Sequence, residues 1–178
     1  IAIDPNNSNR VLVVGGNSVP NGQNGLYLST NKAASWQPVY TANIEGYRDF
    51  RDQVVFDKSS YDASIGGSKI AYWSRIANDT NPWIQPTVYS ALYKSVDGGV
   101  TWNEIPNSSQ FGGSIIKVHP TSGVVYVANS TGFYKSENGA SSFILKVSGD
   151  IKGMDVSYGS PNNVYLTKAD GLYVSTNS

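Results

Sequence analysis

The densest run of side chains able to do chemistry is YTANIEGYRDFRDQ, residues 40–53. Glu45, Arg48, Asp49, Arg51 and Asp52 stand there among Tyr47 and Phe50. Aromatic faces stack on the C–H surfaces of pyranose rings, and charged groups grip hydroxyls. The mixture suits sugar recognition, with Tyr47, Arg48, Asp49 and Asp52 as candidate substrate contacts. The same residues also fit a solvated loop with internal Arg–Asp pairs, each worth about 0–1 kcal/mol. A second run, NDTNPWIQPTVYS (78–90), holds two prolines that keep it extended, and carries Trp83 and Tyr89. Trp73 ends the apolar stretch before it. A ring exposed at Trp73, Trp83 or Tyr89 would be a sugar platform; a buried ring would be packing.

Other chemistry is sparse. His119, the single histidine, stands before a proline, as Asp4 does, which reads as turn capping rather than catalysis. Asp150, Asp155 and Asp170 fall in turns or on polar strand faces, with nothing pairing them into an acid/base couple. There is no Ser-His-Asp pattern and no phosphate-binding glycine loop. The absence of cysteine removes thiolate metal sites and disulfides, and one histidine leaves little for zinc. No metal and no cofactor are therefore expected. Thirteen basic and thirteen acidic residues balance, so no basic stripe suits a nucleic acid. No run of about 18 apolar residues suggests a membrane span.

The elements that must position these loops are written as a repeat. SVDGGVTW (95–102) has the form Ser-x-Asp-x-Gly-x-Thr-Trp. STNKAASW (29–36), SENGASSF (136–143) and STNS (175–178) are weaker copies. Their serines, Ser29, Ser95, Ser136 and Ser175, are 66, 41 and 39 residues apart. A period near 40 marks repeat architecture, and the first gap holds an insertion. Each copy has an apolar strand with a polar end (IAIDP, VVFDK, IKVHP, MDVSY), a turn, a second strand and a third (GLYLS, ALYKS, GFYKS, GLYVS). A fourth follows in the completed copies. No window shows helical spacing. The expected fold is all-β: a propeller of four-stranded antiparallel blades, about three and a half in this chain. The repeats fall near 1–40, 54–105, 116–147 and 154–178, with insertions at 41–53 and 78–90.

Within the turn, the Asp97 carboxylate accepts backbone N–H bonds, Gly99 supplies a conformation that a β-carbon opposes, and Trp102 packs inward. Ser95, Asp97, Gly99, Thr101 and Trp102 are thus structural, as are Ser29, Asn31 and Trp36, and Ser136, Asn138 and Phe143. Trp36 and Trp102 are both expected in the core. The pattern resembles the Asp-box, the bacterial-neuraminidase repeat.

Among Asp-box propellers, IAIDPNNSNRVLV followed by GLYLSTNKAASWQPV resembles glycoside hydrolase family 74, as does VVFDKSSYDASIGGSKIAYW. The resemblance covers residues 1–105; 106–178 read as generic blades. It implies a secreted, extracellular protein that takes xyloglucan-type β-1,4-glucan as its polysaccharide partner. The family cleaves by inversion with two aspartates in a cleft between two propellers. Neither aspartate motif stands in this chain, so no catalytic residue is carried over and hydrolysis stays open. The other reading is a non-catalytic propeller binding protein or surface glycan. In both, the rest of the ring is expected from the same or another chain. Sialidases fit less well: Arg10, Arg48, Arg51 and Arg75 form no recognisable arginine triad.

Overall fold

The structure is a computed structural model, and it describes residues 1–15, 24–42, 53–76, 90–160 and 162–177. Alternating apolar residues and turn chemistry produce a series of antiparallel sheets. Blade 1 comprises β1 (Ala2–Ile3), β2 (Val11–Gly15), β3 (Asn24–Ser29) and β4 (Gln37–Ala42), paired in that order. Blade 2 is β5 (Gln53–Phe56), β8 (Ala71–Arg75), β9 (Ala91–Ser95) and β10 (Asn103–Glu104), with a small hairpin of β6 (Tyr61–Asp62) and β7 (Gly67–Ser68) between β5 and β8. Blade 3 is β11 (Ile115–Val118), β12 (Val125–Ala128), β13 (Gly132–Ser136) and β14 (Ile144–Ser148). Blade 4 is a three-stranded sheet of β15 (Gly153–Val156), β16 (Val164–Lys168) and β17 (Gly171–Ser175). The first strands β1, β5, β11 and β15 neighbour one another in sequence order, as the inner strands of a propeller do.

The core lies in the seams between blades. Period-2 alternation sends successive side chains to opposite faces, so each sheet contributes to two seams. In β8, Trp73 faces blade 1 with Leu12, Leu26 and Leu28, whereas Tyr72 faces blade 3 with Ile116, Val118 and Val127. Tyr126, Phe133, Met154, Val164 and Leu166 fill the seam between blades 3 and 4.

The repeated serine turn is built alike each time. The Ser95 hydroxyl donates to Asp97 Oδ1 (2.7 Å) and accepts from Gly99 N (2.8 Å); Asp97 accepts from Thr101 N (2.9 Å) and Thr101 Oγ1 (2.6 Å). Ser29 and Asn31, and Ser136 and Asn138, repeat these bonds; there the amide nitrogen donates to the hydroxyls of Ser35 and Ser142, each at 2.8 Å. The turn demands left-handed backbone at two consecutive positions. Gly98 and Gly99 take it without a side chain, while Lys32, Ala33 and Ala140 adopt it with φ of 59°, 66° and 69°.

The turn aromatic packs onto the preceding blade. Trp102 of blade 2 lies in the blade 1–2 seam, with its Nε1 donating to Gly99 O (2.9 Å). Phe143 of blade 3 meets Phe111 at 4.7 Å in the blade 2–3 seam. Trp36 departs from expectation: it is 37% exposed, because no blade precedes blade 1 among the described residues.

Polar residues close the other turns at this end. Asp4 accepts from Asn6 N and Asp57 from Ser59 N, and His119 Nδ1 accepts from Ser122 N (3.1 Å). All three are buried. The β6–β7 hairpin reaches back to blade 1, where Asn7 Nδ2 donates to Gly66 O and Asn6 Nδ2 to Ser68 Oγ.

Candidate functional site

Because successive strands run antiparallel, each sheet has two ends. The serine turns and the Asp4, Asp57 and His119 turns share one. The opposite end carries Gly15 and Asn24, Ala42 and Gln53, and Arg75 and Ala91. These pairs flank three connections of blades 1 and 2, so both blades send connections from this end, while the β5–β8 connection with its β6–β7 hairpin leaves from the other. Tyr47, Arg48, Asp49, Asp52, Trp83 and Tyr89 belong to those connections and lie outside the described residues.

Trp73 is described, and it is no surface platform. Its ring is 1% exposed, 5.2 Å from both Tyr40 and Tyr93 and 6.3 Å from Trp102. It supports a neighbour that motif reading passed over. Arg75, the last residue of β8, lies at the loop-bearing end of the blade 1–2 seam. Its guanidinium stands 5.7 Å from the centroid of the Trp73 ring and 6.0 Å from that of Tyr40. Tyr40 in turn meets Tyr93 edge-on at 5.4 Å. Burial pushes the Tyr93 phenol well above its ordinary value, as does its hydrogen bond with Tyr40; Arg75 opposes both more weakly. The Tyr93 phenol is therefore a neutral hydroxyl at physiological pH.

Arg75 is 5% exposed, and its buried Nη1 has no hydrogen-bond partner. An unmet buried donor costs about 1–3 kcal/mol. An oxygen acceptor from a ligand would remove that cost. One cation and two aromatic hydroxyls, with Tyr40 half-buried, stand at the loop-bearing end of the seam, a set suited to an oxygen-rich ligand. The sequence carried one signal of this residue: the other second strands end in Gly15, Ala128 and Lys168, and only β8 places arginine there.

Exposed Glu104 lies across from Tyr93 in the β9–β10 pair, and the other described carboxylates are engaged elsewhere. Burial raises Asp97, but hydrogen bonds from Thr101 and Ser95 outweigh it and hold the carboxyl below the ordinary range. Asp62 is lowered by Ser64, Glu137 by Lys135 and Asp170 by the Tyr173 phenol. Asp155 pairs with Lys117 at 3.0 Å and Asp150 with Lys152 at 2.6 Å. A general acid needs a raised carboxyl pKa, the reverse of what these four show. Among the described residues no cluster of three or more His, Asp or Glu could hold a metal, and no helix is long and apolar enough to cross a membrane.

No protein-family profile matches the chain. A curated relative, xyloglucanase Xgh74A of Acetivibrio thermocellus, is 31% identical over 118 residues, which is 60% of this chain and 12% of the relative. The solved GH74 enzyme of Niastella koreensis superposes with a TM-score of 0.63 at 20% identity, over 98% of this chain and 27% of that one. The chain resembles the family 74 glycoside hydrolases. An ancestral GH74 enzyme gives a TM-score of 0.64 at 20% identity, covering 99% of this chain and 22% of its own. The GH74 xyloglucanase of Xanthomonas campestris also gives 0.64, at 17% identity, covering 98% and 28%. The β-propeller fold is thus that of family 74 enzymes, and the chain spans about a quarter of each solved relative or less.

Proposed function

We propose that this chain is part of a secreted Asp-box propeller that binds β-1,4-glucan of the xyloglucan type. The observation that carries the reading is the 31% identity with a xyloglucanase over 118 residues. The binding surface is the loop-bearing end of blades 1 and 2, where half-buried Tyr40 stands beside Arg75 and Tyr93. Tyr47, Arg48, Asp49, Asp52, Trp83 and Tyr89 belong to the connections that leave from that end. In a hydrolytic form, inversion needs two carboxylates about 6.5–9.5 Å apart with water between them. The described carboxylates other than Glu104 are held by local partners, and no second carboxylate is described beside Glu104, which favours a second reading in which this part of the protein binds glycan without cleaving it.

Affinity electrophoresis in gels containing xyloglucan, an unbranched β-glucan or no polymer tests the proposal. Retardation in xyloglucan is expected. Arg75→Met keeps the stem packed but removes the donors, and should weaken binding about tenfold, near 1.4 kcal/mol. Tyr40→Phe should weaken it less. Unchanged mobility of the folded protein in every polymer would end the reading. Release of reducing ends decides between the hydrolytic and the binding form.

A further inference from the structure

The blade 1–2 seam holds a buried arginine at each end, and one of the two lacks a counter-ion among the described residues. At the serine-turn end Arg10 is 7% exposed; Asp4 Oδ2 lies 3.5 Å from its Nε, and its Nη2 donates to Gly98 O. At the loop-bearing end Arg75 is 5% exposed. The ion pairs among the described residues are those of Arg10, Lys69, Lys117, Lys135 and Lys152, so Arg75 takes part in none of them. Glu104, across from Tyr93 in the β9–β10 pair, is exposed and joins none of them either. Trp73 and Tyr40 turn aromatic rings toward the Arg75 guanidinium, and its buried Nη1 has no hydrogen-bond partner. A ring attracts a cation through its quadrupole but carries no net charge to balance it. A charge taken out of water is costly unless it is both paired and hydrogen-bonded, and Arg75 is neither at Nη1.

We propose that Arg75 receives a carboxylate from the ligand, so that this end of the seam selects an acidic glycan, one bearing a uronic acid, over its neutral counterpart. The inference rests on the reading of the loop-bearing end as a glycan-binding surface, and it names the class of sugar that surface prefers. A guanidinium is a planar fork that matches the two oxygens of a carboxylate, and rings beside it fix its plane. In surroundings poor in water such a charge-assisted bond is stronger than one to a sugar hydroxyl. Arg10 shows how the same seam settles a buried arginine when the chain supplies the acid itself, through Asp4. Glu104 opposes an incoming anion only weakly, because its charge is exposed to water.

Three forms of one xyloglucan oligosaccharide serve as probes: the native sugar, the sugar with its primary hydroxyls oxidised to carboxylates, and the methyl esters of those carboxylates. Titration calorimetry with the whole chain reads the three affinities. The acid should bind at least about tenfold tighter than the ester, which keeps the shape and drops the charge. Arg75→Met should erase that ratio, and Arg75→Lys, which keeps the charge without the fork, should retain part of it. Circular dichroism checks that both variants fold; if either does not, the ratio of acid to ester in the unaltered protein still decides. Equal affinity for acid and ester would overturn the inference and leave glycan binding standing. A preference for the acid that persists in folded Arg75→Met would also overturn it, because the charge would then be read elsewhere. Binding of the acid without the native sugar would support the inference and end the xyloglucan reading, whereas no binding of any form would end both.

Discussion

Asp4, in the first turn of blade 1, accepts both the backbone N–H (2.9 Å) and the hydroxyl (2.6 Å) of Ser68 in blade 2. The carboxylate is 1% exposed, and the guanidinium of Arg10 stands beside it, with Nε 3.5 Å from Asp4 Oδ2 in a geometry that is an ion pair and not a hydrogen bond. Arg10 Nη2 donates onward to Gly98 O in the blade 2 serine turn. A single buried acid thus ties the first turn of one blade to the hairpin of the next, and its arginine ties on the serine turn.

Replacing Asp4 leaves the Arg10 charge buried without its counter-ion. Asp4→Ala should cost about 3–5 kcal/mol, measured by urea denaturation. Ser68→Ala removes one hydroxyl and keeps the backbone bond, and should cost about 1 kcal/mol. Similar losses in the two variants would show that the carboxylate is not the hub.

Asp97 should impose an acid limit on stability. Its folded pKa is depressed, so its contribution is full above the unfolded carboxylate value near 4 and fades as pH falls through the folded value. In Asp97→Asn the turn should survive, since Asn31 and Asn138 make the same bonds in blades 1 and 3. That variant should lose less than about 1 kcal/mol at neutral pH and show a shallower decline below pH 4. Asp97→Ala should lose about 1–3 kcal/mol. Melting temperature measured from pH 2 to pH 7 separates the three proteins.

The two turn tryptophans should behave unequally. Trp102→Ala opens the blade 1–2 seam beside Trp73 and should cost about 3–5 kcal/mol. Trp36→Ala removes a ring already 37% exposed and should cost about 1 kcal/mol or less. Equal losses would mean that Trp36 is as enclosed in solution as Trp102.

Lys32 sits in the left-handed region with an exposed side chain, so Lys32→Gly should stabilise. Relief of about 1–2 kcal/mol of backbone strain outweighs the added freedom of glycine in the unfolded chain, leaving a gain of about 0.5 kcal/mol. Ala140→Gly should gain nothing, because Ala140 is 1% exposed and its methyl group is packed in the blade 2–3 seam. Thermal denaturation of both variants gives the comparison.

The propeller was legible because strands and turns advertise themselves locally. Alternation in RVLVV and VVYVA, and serine followed by an acid or amide two residues later, act within a few residues and survive in the linear text. Trp36 shows the limit. Its turn reads like that of Trp102, but its burial depends on which blade stands behind it, and that is not a property of the turn. Arg75 shows the same limit at the loop-bearing end. Its setting comes from Tyr40, 35 residues earlier and in another blade, and no local pattern links the two. Trp73 was readable as a strand-end aromatic, but only the rings of Tyr40, Tyr93 and Trp102 decide that it faces inward.

The serine turns and the connections that follow Ala42 and Ile76 occupy opposite ends of the same strands. Sequence change at one end therefore leaves the hydrogen bonds at the other untouched. New loops placed between Ala42 and Gln53, or between Ile76 and Ser90, should leave the bonds of Asp4, Ser68 and Asp97 in place. For anyone seeking a rigid holder for foreign recognition loops, these two sites are places to cut and paste.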